Sequence, residues 1–72
     1  MNTPEYEKLR DDVADLEESL YELHLRMRGM TASYLWHGSD TAERMAGLII
    51  SELDLKLVEL YRQAATLVKH LR

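Results

Sequence analysis

The chain has no cysteine, one proline, three glycines and one tryptophan, and none of its purely apolar runs exceeds three residues. Without cysteine there is neither a disulfide nor a thiolate metal site, and redox usage says nothing about compartment. Runs as short as Leu48 to Ile50 fall far below the ~20 apolar residues that a membrane-crossing helix needs. Met1 to Arg10 is charged and has no apolar core of the kind a signal peptide carries, so a cytoplasmic protein with no membrane contact is expected. The three histidines, His24, His37 and His70, show neither the i,i+4 pairing nor the carboxylate spacing of a metal site, and no acid/base dyad stands out. No metal, cofactor or catalytic residue is expected. His37 and Asp40 are close enough in sequence for a local hydrogen bond across a turn.

A basic stripe is also missing. The formal charge is -4, and its distribution is uneven. Residues 1–30 hold eight acids (Glu5, Glu7, Asp11, Asp12, Asp15, Glu17, Glu18, Glu22) against four bases, whereas residues 40–72 hold five of each. Direct nucleic-acid binding needs clustered Lys and Arg to displace counterions from phosphate, so it is not expected here. The line Asp11, Asp15, Glu18, Glu22 spaces carboxylates ~4.5 to 6 Å apart along a helix. That spacing suits a nucleic-acid mimic, but it is equally what the solvated face of a coiled coil presents.

What the chain does contain is periodicity. Tyr6, Leu9, Val13, Leu16, Leu20, Leu23, Met27, Met30 and Tyr34 alternate at gaps of three and four, and Ala46, Ile50, Leu53, Leu57, Leu60, Ala64, Leu67 and Leu71 repeat the pattern. Each set keeps one apolar seam along a helix, which predicts two long helices. Thr3 suits a cap, Pro4 the first helical position, and Glu5 and Glu7 complement the positive end of the dipole. Gly29 lies inside the first stripe, so the helix is expected to run through it over about 4–36, at a cost of roughly 1 kcal/mol. Gly38 is expected to close that helix in a left-handed conformation, and Asp40 with Glu43 to form a capping-box start for a second helix over about 41–71. The turn is then 37–40, and so short a connection forces the arms antiparallel, with Leu25 near the level of Leu53. Glu22–Arg26, Asp40–Arg44 and Glu52–Lys56 are spaced for i,i+4 ion pairs.

The expected fold is all-α, one domain over 1–72. A two-helix hairpin of 72 residues buries too little surface to be stable on its own core, so a homodimer forming a four-helix bundle is expected. Leu16, Leu20, Leu23, Ile50, Leu53, Leu57, Leu60 and Leu67 are the expected core and dimer residues. Helix two is apolar on more than one side, with Leu48, Leu55, Val58 and Ala65 far around from its seam, which is the pattern of a buried helix. Leu25 stands alone on the acidic side of helix one. Near the turn gather Tyr34, Leu35 and Trp36, with Met27, Met30 and Met45 close by. Aromatic anchors and adaptable methionines are what partner-binding surfaces concentrate, although the same residues serve to plug the open end of a bundle. Leu25, Tyr34, Trp36, Leu48 and Leu55 are therefore the expected partner-binding residues.

Two family resemblances follow from these residues. The run Leu9, Arg10, Val13, Leu16, Glu17, Leu20 and Leu23 resembles the first helix of the all-helical chorismate mutases, which implies a substrate-carboxylate role for Arg10. The likeness covers about twenty residues; Met27 stands where that family has a second arginine, and its active-site lysine has no counterpart. Across the whole chain, from Thr3 through His37-Gly38-Ser39-Asp40 to Leu71, the acidic hairpin with an aromatic turn looks like the small inhibitors that bacteriophages encode against host regulators, including anti-activators of transcription factors. That resemblance is architectural and transfers no binding residue. It implies a non-enzymatic protein that occupies another protein, such as a host transcriptional regulator. The remaining alternatives are a structural coiled-coil module, an acidic nucleic-acid mimic and a mutase-like enzyme.

Overall fold

The computed structural model describes residues 4–71, an elongated hairpin of 56 × 14 × 12 Å. Helix α1 spans Pro4–Thr31 and helix α2 spans Thr41–His70, and the two pack antiparallel along their length; no strand occurs among the described residues. Thr3, the expected cap of the first helix, lies outside the described residues. Gly29 does not interrupt α1, and an added Cβ there would meet nothing within 4 Å.

The first arm changes character before it ends. Ala32–Trp36 winds as a π-helix, closed by His37 N–H donating to Ala32 O at 3.2 Å, an i→i+5 bond. The wider turn brings Leu35 onto Gly47 of α2. Both residues are screened there: Gly47 is buried and Leu35 half-buried. A side chain at position 47 would strike the backbone N of Leu35 and come within 2.9 Å of its Cα and Cβ, so the glycine is what permits this approach.

The turn over 37–40 forms, but not as expected at Gly38. Among the described residues none has a positive φ, so Gly38 does not close the helix in the left-handed region. It is buried, and a Cβ on it would collide with the carbonyl oxygen of Tyr34; absence of a side chain, not backbone freedom, is what the turn uses. Asp40 caps α2, its Oδ1 accepting from Glu43 N–H at 2.8 Å, while Glu43 Oε2 accepts from Ser39 N–H at 2.9 Å. This is a capping box reaching one residue further back than usual. Arg44 Nε donates to Gly38 O at 3.3 Å and the Asp40 carboxylate accepts from Glu43 N–H, so the two side chains serve the turn and form no ion pair, although Arg44 N–H donates to Asp40 O at 3.2 Å; the backbone N–H of His37 bonds Ala32 O. Glu22–Arg26 and Glu52–Lys56 are not among the ion pairs of the described residues. The i,i+3 pair Arg62–Glu59 is, at 3.3 Å.

The buried seam differs from the expected stripes. Val13, Leu57 and Ala64 are the buried apolar side chains, with Leu20, Met27, Ile50, Val58, Tyr61, Ala65 and Val68 half-buried beside them. On α2 this line is rotated from the expected one, taking in Val58 and Ala65, which the sequence placed far from the seam. It leaves Leu53, Leu60 and Leu67 exposed. On α1, likewise, Leu16 and Leu23 are exposed. Of the eight expected core and dimer residues only Leu57 is buried within one hairpin, and Leu20 and Ile50 are half-buried. A helix with apolar residues on several faces can dock by more than one of them, and the polar contact described next selects the one used.

Candidate functional site

Halfway along the hairpin His24 Nδ1 meets Asp54 Oδ1 at 2.7 Å, an imidazole N–H donating to a carboxylate between the two helices. Both side chains are half-buried. Tyr21 stacks obliquely near His24 and Tyr61, with ring centroids 6.3 and 5.8 Å away. The pair orients both helices and so defines two faces. A residue advances ~100° around an α-helix. In antiparallel helices, residues just before an inward-facing one lie on one side of the hairpin, and residues just after it on the other. Leu23 and Leu53 therefore flank His24–Asp54 on one face, Leu25 and Leu55 on the opposite face.

The second of these faces carries a groove of about 390 Å³ lined by Arg28, Thr31, Ala32 and Trp36 from the first arm and by Ser51, Asp54 and Leu55 from α2. Trp36 and Leu55 are the most exposed large apolar residues of the described chain, at 72% each. Their side chains border a floor of small residues, Ala32 and Ser51, between two long helices. The Ser51 hydroxyl donates back to Leu48 O of its own helix at 2.9 Å, which leaves the floor less polar than its composition suggests. One cation, Arg28, and one carboxylate, Asp54, stand at the sides. Such a trough suits an apolar side chain with a polar rim; it holds no convergent set of acids, bases or nucleophiles. Among the described residues no group of three or more His, Asp or Glu could hold a metal ion, and no helix is long and apolar enough to cross a membrane.

Of the expected partner-binding residues, the structure brings Trp36 and Leu55 together in this groove. Leu25 is exposed on the same face without lining it, and Leu48 lies one heptad before Leu55, also exposed. Tyr34 is exposed but does not border the groove. Arg28, Thr31, Ala32, Ser51 and Asp54 were missed by sequence reasoning. The antiparallel register was the available signal, since placing Leu25 level with Leu53 also places His24 by Asp54 and Arg28 by Ser51.

The opposite face carries two rows of apolar side chains along its length. Leu9, Leu16, Leu23 and Met30 recur every seventh residue on α1, and Ile49, Leu53, Leu60 and Leu67 line α2; all are exposed. The two rows border a shallow groove of about 340 Å³ formed by Leu16, Leu20, Leu60, Gln63, Ala64 and Leu67. Arg10, singled out by the mutase resemblance, sits half-buried near the open end of the hairpin, far in sequence from both His24 and the Trp36 groove.

Fold and faces together define a small helical-hairpin protein with two unlike exposed surfaces. The YubE family model matches residues 5–71, and the chain belongs to that family. No curated protein matches it, and no solved structure does.

Proposed function

We propose that the chain is a non-enzymatic, homodimeric protein-binding module of the cytoplasm that inhibits or adapts another protein by occupying it. The observation that carries this reading is the groove beside the turn. A tryptophan and a leucine, each 72% exposed, are held at fixed spacing on two packed helices. Exposed apolar residues grouped in a concave, polar-rimmed trough mark protein-binding surfaces, and Trp is the residue most enriched among energetic anchors. A helix or loop of the target would lay an apolar side chain between Trp36 and Leu55, with Arg28 on the rim. The acids on α1 would steer a basic target toward the groove. A transcriptional regulator is one such target, suggested by the likeness to phage-encoded hairpin inhibitors.

The test compares wild-type protein and Trp36→Ala as baits in the native host, followed by calorimetry on the protein retained by wild type alone. Trp36→Ala and Leu55→Glu should each weaken binding about tenfold or more, ~1.4 kcal/mol or above, with helicity unchanged. Wild-type affinity in both variants would refute the groove as the docking site. Binding that collapses between low and moderate salt would favour mimicry of nucleic acid by the acidic face instead, because an apolar contact loses little to screening.

A further inference from the structure

We infer that a second copy of this chain docks on the leucine face opposite the Trp36 groove, with the two-fold axis running parallel to the helices, so that both turns lie at the same end of a four-helix bundle. The inference rests on the homodimeric reading above and adds to it which surface is used and in which direction.

Area argues first. The eight side chains Leu9, Leu16, Leu23, Met30, Ile49, Leu53, Leu60 and Leu67 are between 37% and 56% exposed in the single hairpin. Covering them would remove roughly 700 Å² per chain from water, close to the ~800 Å² per partner of a standard stable interface. The hairpin needs that burial, because among the described residues only Val13, Leu57 and Ala64 are buried apolar side chains. The face is also built to fit itself. The α1 row has a strict seven-residue repeat. In the antiparallel register set by His24–Asp54, the leucines of α2 fall between those of α1, with Leu60 between Leu16 and Leu23. A second such ladder can seat its side chains in the gaps of the first, as knobs in holes. Covering this face leaves Trp36, Leu55 and their groove outside on both protomers.

Charge decides the axis. Two hairpins stacked on this face can be related by a two-fold perpendicular to the helices or by one parallel to them. The perpendicular axis lays α1 on its own copy. It runs the two copies antiparallel about the middle of the face, near residue 20, which brings Asp11, Asp12 and Asp15 level with Arg26 and Arg28 but sets Glu17, Glu18 and Glu22 of one copy beside the same acids of the other. The parallel axis lays α1 on the partner's α2, whose arm carries equal numbers of acids and bases, and puts the two acidic helices on the diagonal. Like charges at close range destabilise, so the parallel axis is the favoured one.

The chain has no native cysteine, so a single spin label can be placed at the exposed turn through Ser39→Cys. Light scattering first establishes the mass, and pulsed dipolar spectroscopy then measures the label separation within the dimer. The expected separation is about 20 to 30 Å, two to three helix diameters. A separation near the 56 Å length of the hairpin would overturn the parallel axis while leaving the dimer intact. In parallel, the double variant Leu16→Glu with Leu60→Glu should weaken self-association at least about 100-fold, whereas Leu55→Glu should leave it unchanged. Both positions are exposed in the hairpin, so circular dichroism at high protein concentration can separate loss of association from loss of fold. Persistent dimerisation of the double variant would overturn the face. A wild-type chain that is a folded monomer at micromolar concentration would remove the homodimeric reading as well.

Discussion

Replacing Gly29 and Gly47 by alanine, one at a time, probes whether the close approach beside the turn governs packing. In the interior of a helix glycine is worse than alanine by about 0.5–1 kcal/mol, because it loses more backbone freedom on folding. At Gly29 nothing lies within 4 Å of the added Cβ, so Gly29→Ala should keep that whole gain. For a chain of this length 1 kcal/mol corresponds to a rise in Tm of about 4–8 °C. Gly47→Ala has the same propensity gain, but its methyl falls on the backbone of Leu35, with Leu35 Cα and Cβ at 2.9 Å. Backbone cannot rotate aside as a side chain does, so the two arms must separate near the turn. Overpacking of this kind costs about 1–3 kcal/mol, which cancels or exceeds the gain and leaves a net loss of up to ~2 kcal/mol. The assay is thermal unfolding followed by circular dichroism at one protein concentration, because association would itself shift Tm. Equal rises in Tm for the two variants would refute the account of the Gly47–Leu35 contact.

Leu57→Asp places a charge at a position only 6% exposed, which costs several kcal/mol, so the variant should lose its helical signal at 25 °C; a folded variant would refute Leu57 as core. Asp40→Ala removes the cap of α2 and should cost about 1 kcal/mol, seen as a lower urea midpoint with an unchanged slope. His24→Ala leaves the carboxylate of Asp54 without its partner in a half-buried seam and should cost about 1–3 kcal/mol. Removing both groups in His24→Leu with Asp54→Leu should recover much of that in a denaturant titration, and failure to recover would mean the pair matters as more than mutual satisfaction.

The two arms, the turn over 37–40 and the Asp40–Glu43 cap were legible in the sequence because each depends on residues within one heptad of one another. The π-helix at Ala32–Trp36 was not, since no gap of three or four in the Met30–Tyr34 spacing marks an i→i+5 turn. Gly38 was read as a left-handed residue, although the turn needs only its missing side chain; the letter is the same for both uses. The inward face of α2 was the least legible feature. Ile50, Leu53, Leu57 and Leu60 make one good seam and Ile50, Leu57, Tyr61 and Val68 another, and choosing between them requires a contact from the other arm. His24–Asp54 supplies it, thirty positions apart in the chain. At the candidate site Trp36 and Leu55 stood out as apolar residues that the hairpin does not need, whereas Ala32, Ser51 and Thr31 carry no signal until both arms are seen together.

The polar contact between the arms also gives opening of the molecule a direction. At the turn the arms are held by the cap, the Arg44–Gly38 bond and the seat of Leu35 on Gly47; at midlength they are held by His24–Asp54. Outward from there the seam is Val13 against the region of Ala64, with half-buried, mostly aliphatic neighbours. Separation should therefore start at Pro4 and His70, travel inward as a fraying zipper, and pause at the imidazole–carboxylate clasp. Amide exchange would record this as two steps of protection along each arm, with the boundary near residue 24 on one strand of the zipper and residue 54 on the other.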